Sequence, residues 1–320
     1  MNKSKLISLV LGIALIISMT STLASCDNAS DDNTDTTSTT QTETTTEASE
    51  STTEETTNAV ATQKSAHNIT VKSEGQLMLG GVEFEIYGNS DFTALKAHGE
   101  TNVGGKDTVN LVEGQTHYLK ILSAPDGYEF EEVYEINSTS TEIILKSYLR
   151  DEAPAANFTY QLGDVVHNFT LTGEGDNAVT LKDALDTYGC VVLNFWYIGC
   201  APCKAEFPYI QSAYEKYADK VGFYALNGVS AETQSMIDEF KAQNGYTFNM
   251  SRTDSSIVNA FGVSAFPTTV VIDKYGVVCF VETGSLPDEA PFINLFELFS
   301  SPEYSKTTLF KSIEEIPVKG

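Results

Sequence analysis

Residues 190–210 read CVVLNFWYIGCAPCKAEFPYI. Their first seven residues, CVVLNFW, are a continuous apolar run, the pattern of a strand buried on both faces of a sheet. From Ala201 onward the period changes. Phe207, Ile210, Tyr214 and Tyr217 recur at spacings of three and four, which keeps them on one face of a helix. Cys200 and Cys203 therefore fall where a buried strand passes into a helix N-terminus. Free backbone N–H groups and the helix dipole favour a thiolate there, and Pro202 suits a first helical turn that has no partner for its missing N–H. Cys200, nearest the helix end and solvent, is the expected nucleophile. Cys203, one turn further in, is placed to resolve. Taken alone, the pair still allows a redox centre, half of a metal site or two structural cysteines.

The flanks give the fold class. VGFYALN (221–227) reads as a second buried strand, and AETQSMIDEFKAQNG (231–245) as a helix with Met236, Ile237 and Phe240 as its stripe and Gly245 as its stop. Asp254 is placed to cap a short helix that Gly262 ends. AFPTTVVIDKYGVVCFVETG (265–284) reads as two antiparallel strands joined at 273–276, with a last helix around Glu289 to Phe299. Upstream, NFTYQL and HNFTLTG suggest a hairpin, and TLKDALDTYG a helix closed by Gly189. Residues 151–300 are thus expected to form an α/β domain, a mixed sheet with helices on both faces. Residues 301–320 carry no assignment.

The strand-Cys-x-x-Cys-helix arrangement with Phe266-Pro267-Thr268 downstream resembles the thioredoxin superfamily. VVLNFWYIGCAPCKAEFPYI looks like its TlpA and ResA branch over about residues 155–300, with Asn194, Phe195, Trp196, Cys200, Pro202, Cys203, Glu206 and Pro208 in register. The resemblance implies a redox-active Cys200–Cys203 disulfide, and Glu206 as the carboxylate that couples proton transfer to thiol exchange. A solvated helix-face glutamate is the alternative. It also implies Pro267 as a cis-proline facing the disulfide, against an ordinary trans proline at a strand start. Trp196, Phe266 and Pro267 become candidate substrate-binding residues, with a core role open for Trp196. One departure is Gly199, where the branch often has Trp; losing that ring is expected to widen access to Cys200. Tyr197 and Ile198 also replace smaller residues.

Residues 67–150 have β character. Val82, Phe84 and Ile86 alternate onto one face, and QTHYLKIL and EIILKSYL are further strands. LGGVEFEIYG followed by HYLKILSAPDGYEF resembles the prealbumin-like B-type domain of Gram-positive collagen adhesins, which implies a small all-β sandwich acting as a spacer or binding domain. Many members carry a Lys-Asn isopeptide bond. Lys72 could take the lysine position, but Ile121 stands where the promoting acid belongs and the last strand has no asparagine. Both departures count against the cross-link, and the sequence leaves its presence open.

Residues 1–26 place Lys3 and Lys5 before a long apolar run that ends in small residues, a secretion signal. Leu23-Ala24-Ser25-Cys26 resembles a lipobox, which implies lipidation of Cys26 and an anchor in the membrane. A plain cleaved signal or an uncleaved helix are the alternatives. Residues 27–66, rich in Thr, Ser, Glu and Asp, form a flexible linker that cannot offset its ordering entropy by burial. The net charge of −25, from 19 basic and 44 acidic residues, argues against nucleic acid or an anionic membrane surface as partner.

The expected activity is therefore that of an extracytoplasmic, lipid-anchored thiol-disulfide oxidoreductase with protein disulfides or thiols as substrates. The resemblance favours reduction, a membrane thiol electron carrier of the CcdA/DsbD type as partner, and cytochrome c maturation as one pathway. No cofactor and no metal are expected, because His67, His98, His117 and His167 show no ligand spacing. Two rivals remain. A surface-binding lipoprotein could use the thioredoxin-like part as a scaffold. A thiol peroxidase would need Thr or Ser at 197 and Pro at 193, where this chain has Tyr197 and Leu193. Cys190 and Cys279, in buried strand patterns, are expected to be free, because the strand before Cys279 should lie between them.

Overall fold

The computed structural model describes residues 63–137, 139–173 and 177–318. Residues 1–62, on which the expected signal, the lipidated Cys26 and nearly all of the expected 27–66 linker fall, lie outside the described residues. The first strand already begins at Lys64.

Eight strands build the first lobe: β1 (Lys64–Ser73), β2 (Glu83–Tyr87), β3 (Leu95–Glu100), β4 (Lys106–Val112), β5 (His117–Ser123), β6 (Tyr128–Glu129), β7 (Val133–Ile136) and β8 (Ser140–Ser147). They form two four-stranded sheets, ordered β4-β1-β8-β6 and β3-β2-β5-β7. Alternation supplies the buried faces, as the period of two requires. Ile69 and Val71 of β1, Phe84 and Ile86 of β2 and Leu119 of β5 are all fully buried in one cluster. Lys72, between Val71 and Ser73, points away from that cluster, where its ammonium pairs with Glu142.

The second lobe contains β9 (Thr170–Thr172), β10 (Val179–Thr180), α1 (Leu181–Thr187), β11 (Cys190–Trp196), α2 (Ala201–Tyr217), β12 (Val221–Asn227), α3 (Gln234–Asn244), β13 (Asn249–Arg252), α4 (Ser255–Ala260), β14 (Thr268–Asp273), β15 (Val278–Thr283) and α5 (Ala290–Ser300). Five strands form one sheet in the order β13-β12-β11-β14-β15, in which β14 runs antiparallel to both its neighbours and β11, β12 and β13 are parallel. Every residue of β11, β12 and β14 is buried, because helices cover both faces. Phe207 and Ile210 of α2, Ile237 of α3 and Phe292 and Phe296 of α5 meet Cys190, Val192 and Trp196 on one face. Leu181 of α1 and Ile257 of α4 meet Val191, Leu193 and Phe195 on the other. Each such large side chain contributes roughly 1.5–3 kcal/mol by leaving water.

Three local readings change. NFTYQL does not pair as a hairpin strand: the Tyr160 N–H donates to the Ala260 carbonyl and its hydroxyl is held by His167. Helix α1 stops at Thr187 with Tyr188 extended, one residue before Gly189. Met236 is 44% exposed, so Ile237 carries the buried stripe of α3 with Phe240 partly buried beside it. Gly245 does close α3, with φ of +71°.

The two lobes share one hydrophobic cluster and one compact unit, Ala59–Gly320. Their contacts gather at one end of the five-stranded sheet. Gly127 lies against Val165, Gly276 against Leu149, and Gly75 against Tyr275 and Thr307. The unassigned tail is a strap across this junction. Phe310 bridges to Phe280, the Thr307 N–H donates to the Gly75 carbonyl (2.8 Å), and the Thr307 hydroxyl donates to Asp273 (2.8 Å). Asp273 ends β14, whereas the cysteine pair lies by its start at Thr268. A six-residue strand spans roughly 20 Å, so the β lobe docks at the end of the sheet away from the cysteines.

Candidate active site

Strand β11 ends at Trp196, and a tight turn carries the chain into α2. The Cys200 N–H donates to the Tyr197 carbonyl (3.0 Å), and the Lys204 N–H donates to the Cys200 carbonyl (3.1 Å). Cys200 is the N-cap of α2. Its Sγ accepts the Cys203 N–H at 3.1 Å, doing with sulfur what a serine or aspartate oxygen does in other helices. Cys200 and Cys203 are joined in a disulfide. The same N–H and the positive end of a 17-residue helix would favour negative charge on Cys200 once that bond is reduced.

Glu206, one turn further along α2, is fully buried rather than solvated on the helix surface. Its Oε1 accepts from Asn194 Nδ2 of β11 (2.9 Å) and its Oε2 from the Leu286 N–H of the loop before α5 (3.0 Å). Burial pushes the carboxyl up to about 7, and the two hydrogen bonds pull only part of the way back. A carboxyl in this range exchanges its proton at neutral pH. Asn194 Nδ2 also lies 3.1 Å from the Thr269 hydroxyl of β14, while Asn194 Oδ1 is buried without a partner among the described residues. Turning the amide over would point Oδ1 at both Glu206 and Thr269, each of which can donate when Glu206 is protonated.

The other expected site residues separate. The Phe266–Pro267 peptide bond is cis, with Phe266 half-buried and Pro267 buried at the mouth of β14. Of the two roles open for Trp196, its surroundings are those of a core residue: it is fully buried, with its ring set edge-on to Phe207 and tilted against Phe240. Its place on the α2 and α3 face of the sheet makes it core. The expected wide access at Gly199 fails. Cys200 is only 1% exposed, and the ring of Tyr197 occupies the space beside Gly199, where a Cβ would lie 3.0 Å from Tyr197 Cε2. Cys190 and Cys279 are both free and buried, with β14 between their strands.

Asn194 and Leu286 are the members of this site that the sequence left without a role. A polar side chain inside CVVLNFW is a readable signal, since a strand buried on both faces tolerates one only with partners. Leu286 offers no signal, because it contributes only its backbone N–H, 80 residues from Glu206.

Residues 162–281 match the model of the AhpC/TSA family. The chain is similar to the thioredoxin-like protein YneN of Bacillus subtilis (strain 168), with 30% identity over 127 residues, 39% of this chain and 74% of YneN. It is 37% identical over 120 residues to the thiol-disulfide oxidoreductase ResA of Bacillus thuringiensis (strain Al Hakam), covering 37% of this chain and 67% of ResA. Among solved structures, a putative thiol:disulfide interchange protein DsbE from Chlorobium tepidum aligns with 28% identity over 40% of this chain and 89% of that one, at a TM-score of 0.36.

Proposed function

The chain belongs to the thioredoxin-like thiol-disulfide oxidoreductases that include ResA, and from that premise we propose that it is a reductase of protein disulfides. The observation that carries this reading is the Cys200–Cys203 disulfide capping α2, one turn from a buried carboxyl raised to about 7. In the reduced enzyme, the Cys200 thiolate attacks one sulfur of a substrate disulfide. The substrate S–S bond breaks, a Cys200–substrate disulfide forms, and the displaced substrate thiolate takes a proton from water. Glu206 then accepts the Cys203 proton. Cys203 attacks Cys200 Sγ, the Cys200–substrate bond breaks, the second substrate sulfur leaves as a thiolate that takes the proton from Glu206, and two electrons have passed to the substrate. Phe266 and Pro267 line the approach to Cys200.

The setting extends the same reading. The signal-like residues 1–26, the lipobox-like Leu23 to Cys26 and the acidic linker to residue 66 support a lipid-anchored enzyme on the outer face of the membrane. There the 67–150 region serves as a spacer or binding lobe. A membrane thiol carrier of the CcdA/DsbD type restores the dithiol, and cytochrome c maturation or related thiol homeostasis is the pathway served. A scaffold role gives no reason to bury Glu206 beside an intact cysteine pair. A peroxidase arrangement is disfavoured by Leu193, which is fully buried, and by Tyr197.

Cys203→Ser should trap substrate proteins as mixed disulfides and Cys200→Ser should trap none. Equal trapping by both variants, or by neither, sinks the assignment of roles. Identification of the trapped proteins names the substrates.

A further inference from the structure

The disulfide is closed off from any partner. Cys200 is 1% exposed and Cys203 not at all, so a thiolate cannot line up behind Cys200 Sγ until something moves. The backbone around it is held. Besides the Tyr197–Cys200 turn, the Ile198 N–H donates to Glu232 Oε2 (2.9 Å), and that oxygen also accepts from Asn227 Nδ2 (2.6 Å) at the end of β12. The Tyr197 side chain, half-buried, has no such hydrogen bond among the described residues. Its ring lies beside Gly199, in space that any side chain there would claim. Its edge contact is with Phe266, at 5.4 Å between centroids and 77° between planes. Among the described residues its hydroxyl makes no hydrogen bond. The Phe266 contact and packing against the edge of the core cluster, with no hydrogen bond, hold the half-buried ring, and rotation about its side-chain bonds releases it.

We propose that Tyr197 is the specificity-determining residue for thiol exchange at Cys200. In the closed position, the Tyr197–Phe266 ring pair lies beside Gly199, the residue that precedes the buried Cys200. In the open position, the two rings flank bare backbone at Gly199, and a partner polypeptide reaches Cys200 between them. A partner with an apolar or aromatic residue beside its cysteine replaces the ring contact that opening gives up, and a small hydrophilic thiol does not. Partners with apolar flanks are thereby selected. This inference rests on the reading of Cys200 as the attacking thiol, but its test needs no natural substrate.

The test uses the full chain with the disulfide formed. Dithiothreitol reduces it in two balanced steps: one thiolate attacks Cys200 Sγ and releases Cys203, then the second thiol closes the reagent's ring disulfide and frees Cys200. Tyr197→Ala should raise this rate about 2- to 10-fold, the range that loss of one aromatic pair allows. The equilibrium with the reagent should stay unchanged, because access speeds both directions alike. Phe266→Leu should give a similar gain and the double variant no more than either single, since both remove the same contact. Tyr197→Phe should match the wild type. With the reduced enzyme, disulfide peptides flanked by Phe should react several-fold faster than those flanked by Ser, and Tyr197→Ala should bring that ratio close to one. An unchanged dithiothreitol rate, a rate gain matched by an equal shift in equilibrium, or a peptide ratio untouched by Tyr197→Ala overturns the proposal. Failure of the Cys203→Ser trap with these results intact would overturn the reductase reading instead.

Discussion

Replacing Glu206 by Gln should change how stability depends on pH, with a sign fixed by burial. The folded protein holds the Glu206 proton up to about 7, against 4.5 for an ordinary glutamate. Between those values the folded state binds more protons than the unfolded one, so this group's share of stability falls as pH rises. The full contribution is present below pH 4.5 and gone above pH 7. At about 1.4 kcal/mol per pH unit, ionising the buried carboxyl costs roughly 3 kcal/mol. Gln cannot ionise and escapes that loss. It gives up one acceptor facing Asn194, at about 1–3 kcal/mol unless the Asn194 amide turns over, but that cost does not vary with pH. Urea unfolding of both oxidised proteins from pH 4 to 8 isolates the effect, because other titrating groups cancel in the difference. The free-energy difference should drift by about 3 kcal/mol in favour of Gln across that range. A flat difference would mean that Glu206 titrates as an exposed carboxyl does. A drift in favour of Glu would mean that Asn194 and the Leu286 N–H stabilise the anion by more than burial costs it.

Three further outcomes follow from neighbouring contacts. Asn194→Leu removes the side-chain donor that holds the Glu206 carboxyl down, so the pH dependence of thiol exchange should move to higher pH; an unmoved profile would separate Glu206 from the rate. Burial pushes the Cys190 and Cys279 thiols well up, so iodoacetamide should label neither in the folded protein and both after unfolding, as read by intact mass. Thr307→Val deletes a 2.8 Å donor to the buried Asp273 and should lower stability by about 1–3 kcal/mol in urea while leaving the dithiothreitol rate unchanged.

The centre of the second lobe was legible because its signals are local. CVVLNFW is buried throughout, and the spacing of Phe207 and Ile210 places both under α2. The turn at 273–276 and the Gly245 stop follow from the same short-range chemistry. What stayed hidden depends on distant partners or on rotamers. Phe158, Tyr160 and Leu162 alternate as a strand would, but the Tyr160 N–H goes to Ala260 and no ladder forms. The tail has no period, because it is held piecemeal by Phe280, Gly75 and Asp273. Gly199 suggested an open cysteine, since composition cannot reveal that the ring two residues earlier folds over the gap.

Two buried carboxyls in this lobe show why a raised pKa does not by itself identify a site. Asp273 is also fully buried and pushed up by burial. Its Oδ1 accepts the Tyr275 and Val277 N–H groups and its Oδ2 the Thr307 hydroxyl, with the Tyr304 hydroxyl at 3.5 Å. Those donors close the β14–β15 turn and fasten the tail. Protonating Asp273 would weaken several of them together, so its charge state is tied to structure. Among the described residues Glu206 has two donors, and one is an amide whose oxygen lies buried and unpaired on the other side of the same group. Reversing that amide exchanges a donor for an acceptor without moving the backbone, so either protonation state of Glu206 finds a partner. The proposed acceptor of the Cys203 proton needs that tolerance, and Asp273, at the far end of β14, lacks it; the sulfur beside Asp273 is the free Cys279 thiol and not the disulfide.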